Sequence, residues 1–258
     1  MRYITVEFCV AMSEDLRHLA HEQFAYLPES LAMAVGDREN GWGVLVRETE
    51  PRPKVSDQRA YIPFFALYGK DVDRPTDRPL LAQLIDASGA DPVEFTFTKL
   101  IEPLIATWCH AVQERGIILS AHAENVLLEI DAAFNPTRVV HRDLDVEVDP
   151  LIRSRRGIHT DFHKNRIDID VEASRAAIYS LNYDSFMGHH LFEYLARTLQ
   201  QVYGSDAEAL RSMARTSFHR VFQEADEFFP ETVYYYKNRA GRSEQVPLID
   251  TGKKPVWR

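Results

Sequence analysis

The chain has 258 residues, a length that suits one large domain with a sizeable core. A hydrophobic content of 45% and a charged content of 27% exclude fibrous and wholly disordered classes. The net charge of −9 would repel DNA and acidic membranes, so we expect neither nucleic acid nor a membrane as a partner.

The cysteine content and the apolar runs indicate the compartment. Cys9 and Cys109 are too few for a disulfide framework, a four-thiolate zinc site or a cysteine-ligated iron–sulfur cluster. The first residues lack the uninterrupted apolar run of a signal peptide, and no later segment approaches the roughly 20 apolar residues that span a bilayer. We therefore expect a protein of the cytoplasm.

The opening of the chain predicts a mixture of strands and helices. Alternating β-branched and aromatic residues indicate a strand over Tyr3–Val10, a polar helix follows near Ser13–Phe24, and a second strand lies at Trp42–Arg47. Pro, Asp and Arg concentrate in residues 50–58 and 70–78. These two segments are predicted to be exposed loops around the apolar run YIPFFALYG.

The next part of the chain predicts a helix and then a β-ribbon. Apolar residues recur at helical spacing over Thr98–Arg115, and Gly116 is placed to end that helix in a left-handed conformation. Pro103 suggests that the regular helix begins near it. Ile117–Leu119 and Val126–Ile130 are short apolar runs, and the strand RVVHRDLDVEV is predicted to pair back onto the second of them.

The rest of the chain is predicted to be largely helical. Helices are expected at Asp184–Tyr203 and Asp206–Ala225, with Asp184 and Ser205 as N-cap residues, and a polar tail follows from Val246.

These patterns predict one α+β domain over residues 1–258, without internal repeats. It combines an antiparallel β-ribbon or sheet with a predominantly helical C-terminal half. Its parts are a mixed α/β opening over 1–95, a helix plus the ribbon that carries the chemistry over 96–150, a mainly helical part over 151–245 and a tail over 246–258.

Polar residues are unusually dense between the two apolar runs of the ribbon. Ser120, His122, Glu124 and Asn125 stand where a strand facing the core would be apolar. If this segment is extended, Ser120, His122 and Glu124 share one face, because side chains alternate across a strand. A catalytic cluster and a satisfied polar cluster at a strand end are both compatible with this pattern.

The order of these residues resembles a known family. A helix ending in Gly, then a pattern E-x-H-x-Q-N, then an Arg-Asp pair one strand later, is typical of the C-terminal palm region of the IucA/IucC family, the siderophore synthetases that work without a nonribosomal peptide synthetase. The corresponding positions here are Ser120, His122, Glu124, Asn125, Arg142 and Asp143.

The resemblance implies a palm-like fold and a set of site residues. In the family, the histidine, the amide and the aspartate line a site for a nucleotide and magnesium. Carried over, this implies His122, Asn125 and Asp143 as site residues, and Arg142 as a supporting or anion-binding group.

Two departures from the family pattern change the expected chemistry. Ser120 replaces the acidic residue expected to help hold magnesium, and Glu124 replaces the glutamine. The finger region, with its phosphate contacts, has no counterpart in residues 1–100. Half of the clamp that would neutralise a triphosphate is therefore missing, which weakens the hypothesis of an ATP-dependent ligase.

The sequence favours a biosynthetic hydrolase that cleaves an ester or related acyl bond of a small molecule, without ATP, another cofactor or a metal. We expect His122 to activate water and Asp143 to orient the His122 ring, with Glu124 as a further catalytic residue. Ser120 is a less favoured nucleophile, because two residues along a strand are separated by roughly 6–7 Å and no G-x-S-x-G motif is present.

Other functions stay open at this point. One alternative is a siderophore ligase that uses ATP and magnesium, and another is a non-catalytic protein that binds a metabolite or a synthetase. Related ferric reductases are set aside, because they need a cysteine-ligated cluster. The oligomeric state is also open, with a homodimer as one option.

Charged groups outside the ribbon add further candidates. Arg153 and Arg155, in a predicted loop RSRRG, are expected to bind a substrate carboxylate or phosphate, although charge runs are usually solvated. His159 and His163 have the i,i+4 spacing of zinc ligands on a helix. Because they follow a predicted loop, a zinc site there is only a remote alternative. The adjacent histidines at 189 and 190 are expected to be one buried and one exposed.

Overall fold

The structure is a computed structural model, and it describes residues 5–20, 24–35, 42–55, 58–159, 172–236 and 248–258. The helices are α1 (Thr5–Leu16), α2 (Phe64–Tyr68), α3 (Leu80–Ser88), α4 (Pro92–Thr96), α5 (Glu102–Arg115), α6 (Pro150–Arg155), α7 (Glu172–Ser180), α8 (Glu193–Tyr203), α9 (Ala207–Val221) and α10 (Ala225–Phe228). Phe97–Ile101 and Leu181–Phe192 are π-helical.

The strands form one four-stranded sheet and three two-stranded ribbons among the described residues. They are β1 (Ala25–Tyr26), β2 (Glu29–Val35), β3 (Trp42–Arg47), β4 (Gln58–Pro63), β5 (Ile117–Ile118), β6 (Val126–Asp131), β7 (Pro136–His141), β8 (Glu147–Val148), β9 (Tyr234–Tyr236) and β10 (Leu248–Asp250). The ribbons are β2–β3, β5–β8 and β9–β10.

The four-stranded sheet has the order β1-β7-β6-β4. Strands β6 and β7 form the predicted antiparallel hairpin, with Leu128 opposite Val139, and β4 extends it on the far side of β6. Strand β1 adds a short parallel pairing to β7. One large cluster of buried apolar side chains connects this sheet to the helices. The predicted α+β class is confirmed.

The long helix before the hairpin begins earlier than its proline suggested. Asp91 caps α4 by accepting hydrogen bonds from the backbone amides of Val93 and Glu94. The π-helical turn Phe97–Ile101 then precedes Pro103. A π-helical turn changes the hydrogen-bond pattern just before a residue that lacks an N–H, so the helix continues through the proline. The predicted end is confirmed, because Gly116 has φ 62°.

The first predicted strand is wrong. The residues of Tyr3–Val10 that the structure describes belong to helix α1. Phe8, Met12 and Leu16 are buried and lie four residues apart, so they form one helical face. The predicted helix at Ser13–Phe24 is therefore only the end of α1, and residues 21–23 lie outside the described part.

The helix that ends at Tyr203 begins at Glu172 rather than at Asp184, because α7 continues through the π-helical stretch into α8. Asp184 is therefore no cap. It is buried, accepts a hydrogen bond from the Ser180 hydroxyl at 2.6 Å and pairs with the Arg258 guanidinium at 2.9 Å.

Two further details of the C-terminal half differ from the prediction. Asp206, not Ser205, caps α9 by accepting from the backbone amide of Glu208. The tail is not a polar extension, because β10 pairs with β9 and Trp257 is buried against Phe192.

No helix within the described ranges is both long enough and apolar enough to cross a membrane.

Candidate functional site

The dense polar segment of the sequence is a turn between β5 and β6, not a strand. The backbone amide of His122 donates to the Ser120 carbonyl, and that of Asn125 donates to the His122 carbonyl. Ser120, His122 and Glu124 still lie on the more exposed side of this segment, while the two alanines between them are buried. The predicted alternation of exposed and buried side chains is therefore present, but the strand expected to produce it is not.

His122 is held between an amide and a carboxylate. The Asn125 side-chain nitrogen lies 3.1 Å from His122 Nε2 and 3.2 Å from the Ser120 carbonyl oxygen. Because an amide nitrogen can only donate, Nε2 accepts and the proton of a neutral ring is on Nδ1. Nδ1 lies 3.4 Å from Glu124 Oε1. Glu124 therefore occupies the orienting position that we expected for Asp143.

The surroundings of His122 favour its neutral form. Burial lowers the pKa of the imidazole below its ordinary value of 6.5, and the negative charges of Glu124 and Asp143 only partly oppose this shift. The ring is consequently an unprotonated base at neutral pH.

Asp143 lies beside this cluster in a constrained conformation. Its φ of 64° is in the left-handed region, which is uncommon for residues other than Gly and is often found at functional sites. Its carboxylate lies 3.6 Å from the guanidinium of Arg47 on β3, which pairs more closely, at 2.5 Å, with the buried Glu29. The sequence alone did not identify Arg47, because its position near Asp143 depends on how the β2–β3 ribbon packs.

The side chains of Arg142 and Ser120 both donate hydrogen bonds to backbone carbonyls of this region. The Arg142 amide donates to the Asn125 carbonyl, and its guanidinium donates to the Glu124 carbonyl at 2.8 Å, so Arg142 fastens the turn to the end of β7. The Ser120 hydroxyl donates to the Asp145 carbonyl at 3.4 Å. The described contacts give Ser120 no hydrogen bond from its hydroxyl to the His122 ring.

An aromatic wall borders His122 on the side of the π-helical stretch. The Phe186 ring is edge-on to the His122 ring at 5.3 Å and lies 6.4 Å from the His190 ring and 6.2 Å from the Tyr236 ring. His189 and His190 are both exposed, so the expectation of one buried and one exposed ring is wrong. Burial first, and then the neighbouring His189 and His122, lower the pKa of His190.

The arginines predicted to bind substrate lie on helix α6, not in a loop. Arg153 is buried and pairs with Asp15 at 2.5 Å, which makes it a structural residue rather than a substrate contact. Arg155 is exposed and pairs with Glu227 at 3.2 Å. His159 is exposed, and its proposed partner His163 lies outside the described residues.

A cavity of about 580 Å³ lies apart from the predicted site residues. It is bordered by α5, the start of β7 and the end of α9, and its lining includes Lys99, Glu102, Thr107, His110 and Arg220. None of the candidate site residues predicted from the sequence lines this cavity.

The described part of the chain contains no group of three His, Cys, Asp or Glu residues that could hold a metal ion. Cys9 and Cys109 are both buried, and burial raises the pKa of the Cys109 thiol. Two buried thiols do not fit a cysteine-ligated cluster.

The fold resembles solved siderophore synthetases. The whole chain superposes on 47% of the petrobactin biosynthesis protein AsbB from Bacillus anthracis str. Sterne, with a TM-score of 0.68 and 17% sequence identity. Aerobactin synthetase IucC from a hypervirulent pathotype of Klebsiella pneumoniae matches 87% of this chain over 42% of its own, with a TM-score of 0.62 and 17% identity. ATP-bound IucA from the same source matches 84% of this chain over 40% of its own, with a TM-score of 0.55 and 14% identity.

These likenesses establish the fold as siderophore-synthetase-like, and this chain spans less than half the length of those proteins. No curated protein sequence matches the chain. The family model described as ferric iron reductase FhuF-like transporter matches residues 96–235, which include α5, the β6–β7 hairpin and the π-helical stretch of the aromatic wall. Because this match covers more than half of the sequence, the chain belongs to the FhuF-like family.

Proposed function

We propose that this protein forms acyl bonds in siderophore biosynthesis, as an ATP-dependent ligase that joins a carboxylate to an amine or a hydroxyl. The observation that carries the proposal is the neutral His122, oriented by Glu124 and Asn125, on a fold shared over the whole chain with the synthetase AsbB. Membership of the FhuF-like family is consistent with siderophore or iron metabolism.

The reaction would have two steps. First, a substrate carboxylate oxygen attacks the α-phosphorus of ATP, which gives an acyl-adenylate and releases pyrophosphate. Then the amine or hydroxyl attacks the acyl carbon, the new bond forms and AMP leaves. His122 would accept the proton of the attacking group in the second step, for which the imidazole must be unprotonated.

The charges around the turn supply part of what a nucleotide needs. Arg47 and Arg142 place guanidinium groups near Asp143 and Glu124, and arginine suits phosphate and carboxylate oxygens. Arg47 is a cation that the sequence pattern did not reveal, and although Glu29 pairs with it, its side chain is 32% exposed and lies beside Asp143. The described residues contain no group of three side chains that could hold a metal ion, so magnesium would enter with the nucleotide phosphates.

Hydrolysis of an ester by water that His122 activates is the second candidate. The same neutral imidazole favours it, and it requires no phosphate clamp. A serine mechanism receives less support, because the Ser120 hydroxyl donates to a backbone carbonyl. Ferric reduction would need a cysteine-ligated cluster. Cys9 and Cys109 give it no support, because both are buried.

Two parallel assays separate these functions. The protein is incubated with a panel of di- and tricarboxylic acids, ATP, magnesium and hydroxylamine, and acyl-hydroxamate and pyrophosphate are measured. In parallel, p-nitrophenyl acetate is offered with excess chelator and without nucleotide. His122→Gln is compared with His219→Gln, a change at an exposed histidine on α9 outside the cluster.

Hydroxamate and pyrophosphate that require ATP support the ligase. His122→Gln should keep this signal, because hydroxylamine is unprotonated at neutral pH and attacks the acyl-adenylate without a base, but it should lose amide formation when a primary amine replaces hydroxylamine, whereas His219→Gln should keep both. Ester cleavage that is insensitive to chelator and nucleotide favours the hydrolase. If both assays are negative and the folded protein binds a carboxylic acid in calorimetry, the enzyme proposal is wrong and a binding protein is the better assignment.

A further inference from the structure

The cavity between α5, β7 and α9 has the size of a small-molecule site. Its volume is about 580 Å³, and ligand pockets usually measure about 300–1,000 Å³. One wall is a single face of the π-helical turn and of α5 that follows it, because the residues concerned recur at helical spacing. They are Lys99, Glu102, Ala106, His110 and Gln113.

The cavity has a charged mouth and a fixed floor. Lys99 and Arg220 are exposed and stand at the mouth, whereas Phe24 is fully buried at the floor. Arg138, also on the floor, is buried and paired with Glu129 on the neighbouring strand. The floor is therefore ordered before a ligand arrives, which lowers the entropic cost of binding.

The charges of the lining leave one ammonium group uncompensated. Arg138 is paired with Glu129, and Arg220 is paired with Glu102 at 2.6 Å. Lys99 forms no ion pair with any residue that the structure describes. Because the whole chain carries a net charge of −9, an uncompensated cation at a concave surface favours an anion at this place in particular.

The polar atoms that the protein leaves unused at the mouth are mainly hydrogen-bond donors. Lys99 offers its three N–H groups, and the hydrogen bonds of Arg220 within the described residues use Nη2 alone, so Nε and Nη1 are available. The hydroxyls of Thr98 and Thr137, by contrast, already donate to backbone carbonyls. A group that only accepts hydrogen bonds, such as a carboxylate, matches this arrangement.

The rest of the lining is largely apolar and indicates the body of the ligand. It includes Phe24, Pro103, Ala106, Pro136 and Val221. Inorganic phosphate would bring up to two negative charges to one uncompensated cation and would leave these apolar walls without contact. An organic acid with one carboxylate and an apolar body satisfies both parts of the cavity.

We propose that this cavity binds a small-molecule monocarboxylate. Its carboxylate accepts hydrogen bonds from Lys99 and Arg220, and its apolar body lies against Phe24. Because none of the residues around His122 lines the cavity, this is a second ligand site, and it does not rest on the proposed acyl transfer.

Fluorine NMR titration with 4-fluorobenzoate tests the proposal. The neutral 4-fluorobenzamide and the cationic 4-fluorobenzylamine have nearly the same shape and serve as matched probes of charge. We expect 4-fluorobenzoate to bind with a dissociation constant below about 5 mM, and the other two probes to bind at least about tenfold more weakly.

Four variants locate the bound acid. Lys99→Met should raise the dissociation constant of 4-fluorobenzoate at least about tenfold, and Lys70→Met, at an exposed lysine that does not line the cavity, should leave it unchanged. Ala106→Phe should fill the cavity and abolish binding. His122→Gln should bind the acid as the wild-type protein does. Since Lys99 is exposed, its substitution tests the site even if Ala106→Phe does not fold.

Three results would overturn the proposal. They are wild-type affinity in Lys99→Met, loss of binding in His122→Gln, and binding of inorganic phosphate that is tighter than that of 4-fluorobenzoate. A failure here is distinguishable from a failure of the proposed function, because the hydroxamate and ester assays report on turnover and this titration is made without ATP or an ester.

Discussion

Arg153 Nη1 lies 2.5 Å from Asp15 Oδ2, although 138 positions separate the two residues in the chain. Arg115 donates to the other oxygen of the same carboxylate, so Asp15 connects α1, α5 and α6. Both partners of the Arg153 pair are buried. Removing Arg153 would leave Asp15 with Arg115 alone and would break a buried, charge-assisted hydrogen bond.

We therefore expect Arg153→Met to lower the free energy of unfolding by about 1.5–3 kcal/mol, measured by urea denaturation. Arg155→Met, two residues later, removes an exposed pair with Glu227 and should cost no more than about 1 kcal/mol. If Arg153→Met were as stable as Arg155→Met but bound substrate more weakly, the substrate role predicted from the sequence would be restored.

Gly116 ends α5 at a point where no side chain fits. A Cβ atom there would lie 2.7 Å from the Asp149 carbonyl oxygen, and the φ of 62° already disfavours other residues. Gly116→Ala should cost at least about 3 kcal/mol. Gly204→Ala has nearly the same backbone conformation with nothing within 4 Å, and should cost only about 1–2 kcal/mol. Equal losses in thermal denaturation would show that the contact with Asp149 is relieved by movement.

The catalytic assignment predicts the pH dependence of turnover. As a base, His122 must be unprotonated, so activity should fall as the pH drops through its lowered pKa, below 6.5. His122→Gln should reduce turnover by roughly 10²–10⁴-fold.

The two neighbouring carboxylates should move this limb by different amounts. Both raise the pKa of His122, and Glu124 does so more strongly than Asp143. Glu124→Gln should therefore shift the acidic limb to lower pH, and Asp143→Asn should shift it less in the same direction. An acidic limb that stays in place in both variants would mean that another group sets it.

His141 predicts a pH dependence of stability. It is buried, its Nε2 lies 2.9 Å from the Thr107 hydroxyl, and burial lowers its pKa to about 3. Between the ordinary value of 6.5 and about 3, the unfolded chain binds a proton that the folded protein does not, so stability falls as the pH falls.

We expect this one group to add up to about 1.4 kcal/mol per pH unit to the slope of unfolding free energy between those limits. His141→Gln keeps a partner for Thr107 and should flatten the curve there. The same slope in both proteins, measured by denaturation at several pH values, would show that His141 titrates normally.

The hairpin and the polar cluster around His122 could be predicted because their determinants are local, although the turn that carries the cluster could not. The apolar runs of β6 and β7 flank a turn, and Glu124 and Asn125 reach His122 from two and three residues away. The wall beside His122 could not be predicted, since Phe186 comes from a helix 64 positions later whose phase depends on a π-helical stretch.

The strand predicted over Tyr3–Val10 was wrong for a related reason. The residues of α1 include β-branched and aromatic types that favour strands, and burial of Phe8, Met12 and Leu16 in the core decides against that preference. Arg47 escaped notice because a strand residue reveals its partner only when the packing of its ribbon is known.

The π-helical stretch Leu181–Phe192 sets the phase between two halves of one long helix. Its hydrogen bonds span one residue more than those of an α-helix, so it behaves like an insertion that leaves the flanking helix intact. Removing a single residue from it would rotate one half against the other by about 100°. A family member that lacks one residue here and keeps Leu195 and Leu199 in its core would turn Phe186 away from His122. In a sequence alignment this change at the site would be visible only as a one-residue gap.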